Sequence, residues 1–335
     1  VTQIVKEEVI VEKEVEVQVI KEVAVIEKEY VEVEVQAEPE ARAPVTFTYA
    51  HNGPIRTMDA PVTWYGSTHW LTNTLYECLI WRNADLSGYH GQAAESWEAL
   101  DDTTWRFHLR PGITFHNGEP LDAEAVKWNL DRVMTREDFL VHPQWAFISE
   151  VQIVDDVTVD VLTGAPEAYF EYVVSYNGCE LLPPDYMAEV GEEEFAKTPV
   201  GSGPYKLVEF TDSDKYTFEA WDDYHSGRPD VDTVIYQVIP DSATQVQAMI
   251  TGDVDMMVNL PGKAVKEVEA AAGKEVWSIE SGRYTSIVCH QGVSPSNNRD
   301  LVRAMQLCMD RTRIVKGELK GLGSVGNDQP INKAY

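Results

Sequence analysis

Between Ala99 and Met134 the chain reads ALDDTTWRFHLRPGITFHNGEPLDAEAVKWNLDRVM, a series of short structures with a turn signal at every joint. Trp105, Phe107 and Leu109 alternate with Arg106, His108 and Arg110, the period-two pattern of a strand with one buried face. Pro111-Gly112 breaks that run and Ile113 to Phe115 resumes it, which predicts a β-hairpin. Asn117-Gly118 marks a second turn. Asp122 is then placed to cap a helix whose apolar residues Val126, Leu130, Val133 and Met134 recur at i, i+4, i+7 and i+8. The block holds no nucleophile, metal cluster or phosphate loop, so it reads as scaffold.

Length and charge narrow what such a scaffold can serve. At 335 residues, 44% of them apolar and 10% aromatic, the chain can bury a sizeable core and is longer than one average domain. Asp and Glu outnumber Lys and Arg by 56 to 27, giving a net charge of -29, and no basic cluster occurs, which excludes binding along a nucleic-acid backbone. No run of eighteen apolar residues is present to span a membrane. Without Met at position 1 or a recognisable signal peptide, the chain reads as a mature or trimmed product.

Residues 1–44 differ in kind from the rest. Val, Ile, Glu and Lys dominate, and the apolar residues favour odd positions from Val5 through Val35, a strand period, while the Glu and Lys content suits a helix. A lone amphipathic strand cannot bury its apolar face, so the segment is expected to be an extended tether, with a coiled coil or paired β-ribbon as alternatives. Ala41-Arg42-Ala43-Pro44 marks the change to folded sequence.

Beyond it, Val45 to Ala50 reads as a first strand, and Val151 to Val161 as a hairpin turning at Asp155-Asp156. Lys206 to Phe210 and Thr233 to Ile239 read as strands. Ser242 opens a helix with Gln245 at capping-box spacing and Gly252 at its stop. Arg299 to Asp310 is an amphipathic helix with Leu301, Met305 and Cys308 on one stripe.

These segments, in this order, resemble the family 5 extracellular solute-binding proteins, the dipeptide and oligopeptide receptors of ABC importers. Phe107-His108-Leu109-Arg110-Pro111-Gly112 and Phe115-His116-Asn117-Gly118-Glu119-Pro120 match that family's FxLRxGxxFHxGxP, and Ala123-Glu124-Ala125-Val126 begins its next motif with Ala125 where Asp is usual. Thr57-Met58-Asp59-Ala60-Pro61, Thr74-Leu75-Tyr76-Glu77-Cys78-Leu79 and Ala93-Ala94-Glu95-Ser96-Trp97-Glu98 stand where the family has LDP, lyExL and LAexW. Thr198 to Tyr205 resembles PVGTGPY, a joint whose glycines read as conformational. Asp222 to Pro229 resembles xxYWxGxP with His225 in place of Trp, Gly252 to Asp255 matches GxxD, and Val302-Arg303-Ala304 with Met309-Asp310-Arg311 resembles VRxAhxxAhDR.

The resemblance implies a periplasmic-binding-protein type II-like, two-lobe α/β fold. Lobe one would span residues 45–280 with an inserted subdomain at about 82–197, and lobe two would begin at 281–335, truncated there because family members are longer. It implies a receptor outside the cytoplasm, in the periplasm or at the cell surface, that closes its lobes on a small solute, most often a peptide, and delivers it to ABC permease subunits. It implies a monomer, no cofactor, and membrane attachment only through a lipid-bearing tether whose cysteine is not in this sequence. The loop after the first strand, the loop before the lyE helix and hinge-proximal segments line the cleft in this family, which points to Trp64, Tyr65, His69, Tyr176, Asn177, Asn259 and Tyr284 as ligand-binding residues. Their rings and amides suit a peptide or a sugar.

Other readings are open at the level of ligand and class: an oligosaccharide or metal-chelate receptor, a hydrolase acting on oligomers, or a surface scaffold assembled through residues 1–44. The catalytic signals are poor. His108 and His116 are expected to face each other across the hairpin without a carboxylate or Cys at ligand spacing. Gly201-Ser202-Gly203 lacks the nucleophile-elbow pattern. The four cysteines show no CxxC spacing; Cys289 and Cys308 are expected either to pair or to be buried thiols.

Overall fold

The computed structural model describes residues 42–55, 57–62, 66–211, 214–278, 287–290 and 292–326, the side chains of 66–70 excepted. The chain divides into the units Val1–Pro44 and Val45–Tyr335. The expected tether lies outside the described residues, and the described strands and helices belong to the second unit.

Eleven strands are described: β1 (Thr46–His51), β2 (Ile80–Arg82), β3 (Tyr89–Gly91), β4 (Ala94–Asp101), β5 (Thr104–Leu109), β6 (Ile148–Asp155), β7 (Thr158–Thr163), β8 (Tyr205–Thr211), β9 (Lys215–Ala220), β10 (Thr233–Val238) and β11 (Met256–Met257). They form a five-stranded sheet in the order β11-β1-β10-β9-β8, a four-stranded sheet in the order β4-β5-β7-β6, and the pair β2-β3.

In the larger sheet β1 runs parallel to both neighbours, with Tyr49 opposite Tyr236 of β10 on one side and Met256 of β11 on the other. The chain leaves β10, forms the helix Ser242–Thr251 and returns as β11, a crossover that spans β1. That helix stops as predicted at Gly252, whose φ of 86° is the left-handed cap glycine adopts without penalty. It begins at Ser242 as predicted, but the capping residue is the one before it. Asp241 is the cap, because its carboxylate accepts from both the N–H and the hydroxyl of Thr244, each at 2.8 Å. Gln245 is thereby free of capping and is buried. On one face of the sheet Tyr49, Tyr216, Phe218 and Tyr236 form a core with Leu71, Leu75 and Phe195.

The smaller sheet is antiparallel and has its own core, in which Phe107, Val159 and Val161 meet Val126, Leu130 and Val133 of the helix Ala123–Thr135. Asp122 caps that helix as expected, accepting from Ala125 N–H at 3.0 Å. The β6–β7 hairpin turns at Asp155-Asp156. The hairpin predicted around Pro111-Gly112 is different: β5 pairs with β4 and β7, while Ile113 to Phe115 folds on itself through a single bridge from Thr114 to Pro120. Period-two patterning identifies a strand but not its partner.

Three further expectations change. Cys78 and Cys179 form a disulfide, and Cys289 and Cys308 are free, Cys308 exposed. The pair that forms is 101 residues apart in sequence, beyond the reach of spacing arguments. His108 and His116 do not face each other. His108 lies 3.8 Å from Glu98 across the β4–β5 ladder, whereas His116 is held between Gly201 and Gly203. The helix Arg299–Cys308 forms where predicted, but none of its residues is buried. Among the described helices none is long and apolar enough to cross a membrane.

Candidate binding site

β1, β10 and β11 are parallel, so all three end at one edge of the sheet, and the helix Ser242–Thr251 begins there. In open α/β sheets the crevice beyond the carboxyl ends of the strands is where ligands bind. Here that edge carries two recesses of opposite character.

The first, with room of about 20 Å³, is lined by His51 and Asn52 after β1, Ser242 and Gln245 after β10, and Val258 and Asn259 after β11. It accommodates one small polar group. His51 is 8% exposed and its ring stacks on Tyr236 at 5.4 Å. Burial holds its pKa below the ordinary histidine value, only partly opposed by the Gly53 backbone, so the ring is neutral at pH 7. Gln245 is 3% exposed and its amide donates to the Ile239 carbonyl at 2.6 Å. Asn259 takes the left-handed conformation, φ 59°, which asparagine tolerates better than most residues.

The second recess, of about 450 Å³, is lined by Ile55, Thr57, Met58, Glu193, Ala196, Lys197, Phe210 and Tyr216. The register Gln237 to Lys215 puts the β8–β9 turn at the carboxyl end of β10, so this recess opens at the same edge. The end of β1 and the loop after it contribute to both, His51 and Asn52 to the first and Ile55, Thr57 and Met58 to the second.

Of the residues expected to bind ligand, Asn259 lines the first recess. Tyr176 and Asn177 lie elsewhere, in the turn after the helix Phe170–Val174. The Tyr176 ring stacks on Tyr172 at 5.4 Å, and the Asn177 carbonyl accepts from Trp145 Nε1 at 2.9 Å; neither residue lines either of these two recesses. His69 belongs to the helix Gly66–Leu75, but its side chain lies outside the described residues, as do Trp64, Tyr65 and Tyr284. His51, Asn52, Ser242 and Gln245 were not foreseen, although the loop after the first strand was. Its polar residues come directly after β1, the one signal that could have singled them out.

The architecture is the α/β fold seen in periplasmic binding proteins. The oligopeptide-binding protein AppA from Bacillus subtilis, solved in complex with a nonapeptide, superposes with a TM-score of 0.75 at 23% identity, covering 88% of this chain and 60% of that one. The family model described as bacterial extracellular solute-binding proteins, family 5 Middle, matches residues 88–334. The chain belongs to that family. A probable D,D-dipeptide-binding periplasmic protein, DdpA, of Escherichia coli K12 is 26% identical over 279 residues, 80% of this chain and 54% of its own length. The glutathione-binding protein GsiB of Pectobacterium atrosepticum is 25% identical over 231 residues, 68% of this chain and 45% of its own. The chain thus spans about half the length of the curated relatives it matches.

Proposed function

We propose that this protein captures a small solute, a peptide by preference, at the carboxyl edge of β1, β10 and β11, and hands it to the permease of an ABC importer. The observation that carries the reading is the convergence of three parallel strand ends and a helix start on one edge with two recesses, in a chain of the solute-binding family. Peptide as the cargo is supported by the D,D-dipeptide and glutathione named for the relatives and by the nonapeptide bound to AppA.

Residues 45–280 would act as lobe one, with the subdomain at about 82–197 inserted in it, and the segment from 281 would open lobe two. Closure of the lobes would bury the solute, the hinge motion general to periplasmic binding proteins. Ligand raises the closed population only by its differential affinity for that state. No bond is made or broken. The Cys78–Cys179 disulfide supports an oxidising compartment outside the cytoplasm, since such bonds are rare where glutathione keeps thiols reduced.

Native mass spectrometry of the purified full chain, followed by denaturation and peptide sequencing, tests this directly. A stoichiometric peptide released unchanged is the expected result. Released fragments of an added peptide would show a hydrolase, and failure of a peptide library to bind in calorimetry would overturn the reading.

A further inference from the structure

The 450 Å³ recess lies within the volume range of small-ligand sites, and several of its polar atoms are already engaged. Tyr216 hydroxyl accepts from Ile55 N–H at 3.1 Å. The Met58 carbonyl accepts from Tyr76 hydroxyl at 2.8 Å, and Met58 N–H donates to the Ala196 carbonyl at 3.4 Å. Thr57 Oγ1 accepts from Asp59 N–H at 3.1 Å. The two ionisable rim residues neutralise each other, Lys197 Nζ lying 3.1 Å from Glu193 Oε1. What the described lining offers an occupant is therefore mostly apolar: Phe210 is 39% exposed and Ala196 partly so, while Ile55, Met58 and Tyr216 are buried. An ionised group placed there would lose hydration against the apolar lining and meet charge only at the exposed rim, where Lys197 and Glu193 are already paired.

We infer that this recess is a specificity pocket for an uncharged, bulky apolar side chain of the solute, of leucine size or larger, while the adjoining polar recess takes one of its uncharged polar groups. The inference rests on the solute-capture reading and deepens it. The shared loop makes the two recesses parts of one surface: His51 and Asn52 serve one, and Ile55, Thr57 and Met58 the other. Burying a leucine-sized side chain contributes about 1.5–3 kcal/mol, which corresponds to a gain of about tenfold or more in affinity.

Calorimetry of the full chain with Leu-Leu, Phe-Phe, Gly-Gly, Asp-Asp and Lys-Lys tests the preference. Leu-Leu or Phe-Phe should bind at least about tenfold more tightly than the other three. In Ala196→Phe, which fills the recess, that ratio should fall to within about twofold. Phe210→Ala, at a partly exposed ring, should lower it by at least about threefold and guards against a folding defect in the first variant. The fluorescent apolar probe N-phenyl-1-naphthylamine, added to both proteins, reports on the recess independently of any peptide. Uptake by the wild type that is at least halved in Ala196→Phe, with no dipeptide bound, would uphold the apolar recess and overturn peptide capture. Equal affinity for Gly-Gly and Leu-Leu would overturn the pocket and leave solute capture standing. Failure of both dipeptides and probe to bind would overturn both.

Discussion

Arg132 donates two parallel hydrogen bonds to Asp59, at 2.8 and 2.5 Å, and both side chains are buried, at 7% and 3% exposure. The guanidinium also lies over the Phe139 ring at 4.6 Å and reaches Glu192 at 3.0 Å. Burial alone would push the arginine pKa down, but the bonds and charges of Asp59 and Glu192 more than restore it, so the guanidinium stays ionised. The pair joins the loop after β1 to the helix behind the smaller sheet.

Removing Arg132 leaves Asp59 a buried charge without its guanidinium, and removing Asp59 leaves Arg132 only the half-exposed Glu192. Arg132→Leu or Asp59→Leu is expected to cost roughly 3–5 kcal/mol, read as a lower midpoint in urea unfolding, whereas the double variant should recover much of that loss. Additive losses in the double variant would show that the two side chains do not depend on each other.

This pair also shows what sequence can and cannot reveal. Asp59 sits in the stretch that resembles LDP, and Arg132 lies near the end of the helix after FxLRxGxxFHxGxP, so both motifs were visible. Their contact across 73 positions was not. The same holds for Glu77 of the lyExL-like stretch, 1% exposed, whose Oε1 accepts from the Tyr224 hydroxyl and lies 2.7 Å from His225 Nε2 in the later YH segment. Hairpins and helix caps depend on neighbours a few residues away, and most were legible: the β6–β7 turn, Asp122 and Gly252. The order β11-β1-β10, the β5–β7 pairing and the Cys78–Cys179 link depend on chain closure over long separations, which local pattern does not encode. Asn259 was legible only through the family resemblance, among the residues of segments that line the cleft in that family. Ile55, Met58 and Tyr216 were not, because the wall of an apolar recess has the same composition as a core.

The Cys78–Cys179 disulfide closes a loop with a separation of 101 residues between two buried half-cystines. In the chain-entropy account such a crosslink stabilises by restricting the unfolded chain, and its loss typically costs about 2–5 kcal/mol. The Cys78→Ala, Cys179→Ala double variant should therefore melt well below the wild type, and dithiothreitol should lower the wild-type melting temperature but not that of the variant. Thiol titration of the unreduced, denatured wild type should give two reactive groups, Cys289 and Cys308.

Gly201 and Gly203 pack against the end of the helix Gly66–Leu75. A Cβ on Gly201 would overlap the Leu75 carbonyl oxygen, and one on Gly203 would sit 2.7 Å from the Leu75 carbonyl carbon. The obstacles are backbone atoms of a helix end, which cannot swing aside as a side chain would. Gly203→Ala is expected to destabilise by about 1–3 kcal/mol, measured by chemical denaturation, while Gly227→Ser, which meets no atom within 4 Å, should lose less and only through its φ of 94°.

His116 fastens the Phe115–Pro120 turn to that same glycine joint as a neutral ring. Its Nε2 donates to the Gly203 carbonyl at 2.8 Å, and its Nδ1 accepts from Gly201 N–H at 3.3 Å. A proton on Nδ1 would point at the Gly201 N–H. Burial lowers the pKa from 6.5 to about 4; the Gly203 bond opposes the shift and the charge of Lys206 adds to it. Because the folded pKa lies below the unfolded one, the unfolded chain takes up the proton first as pH falls. The contribution is therefore intact above pH 6.5, declines between 6.5 and about 4, and is gone below that, a change on the order of 3 kcal/mol. Unfolding free energies of wild type and His116→Gln, compared from pH 7.5 to 4, isolate this histidine from the carboxylates that titrate in the same range. The wild type should lose stability more steeply between pH 6.5 and 4.5 than the variant, and parallel curves would show that His116 is protonated as readily in the folded chain as in the unfolded one.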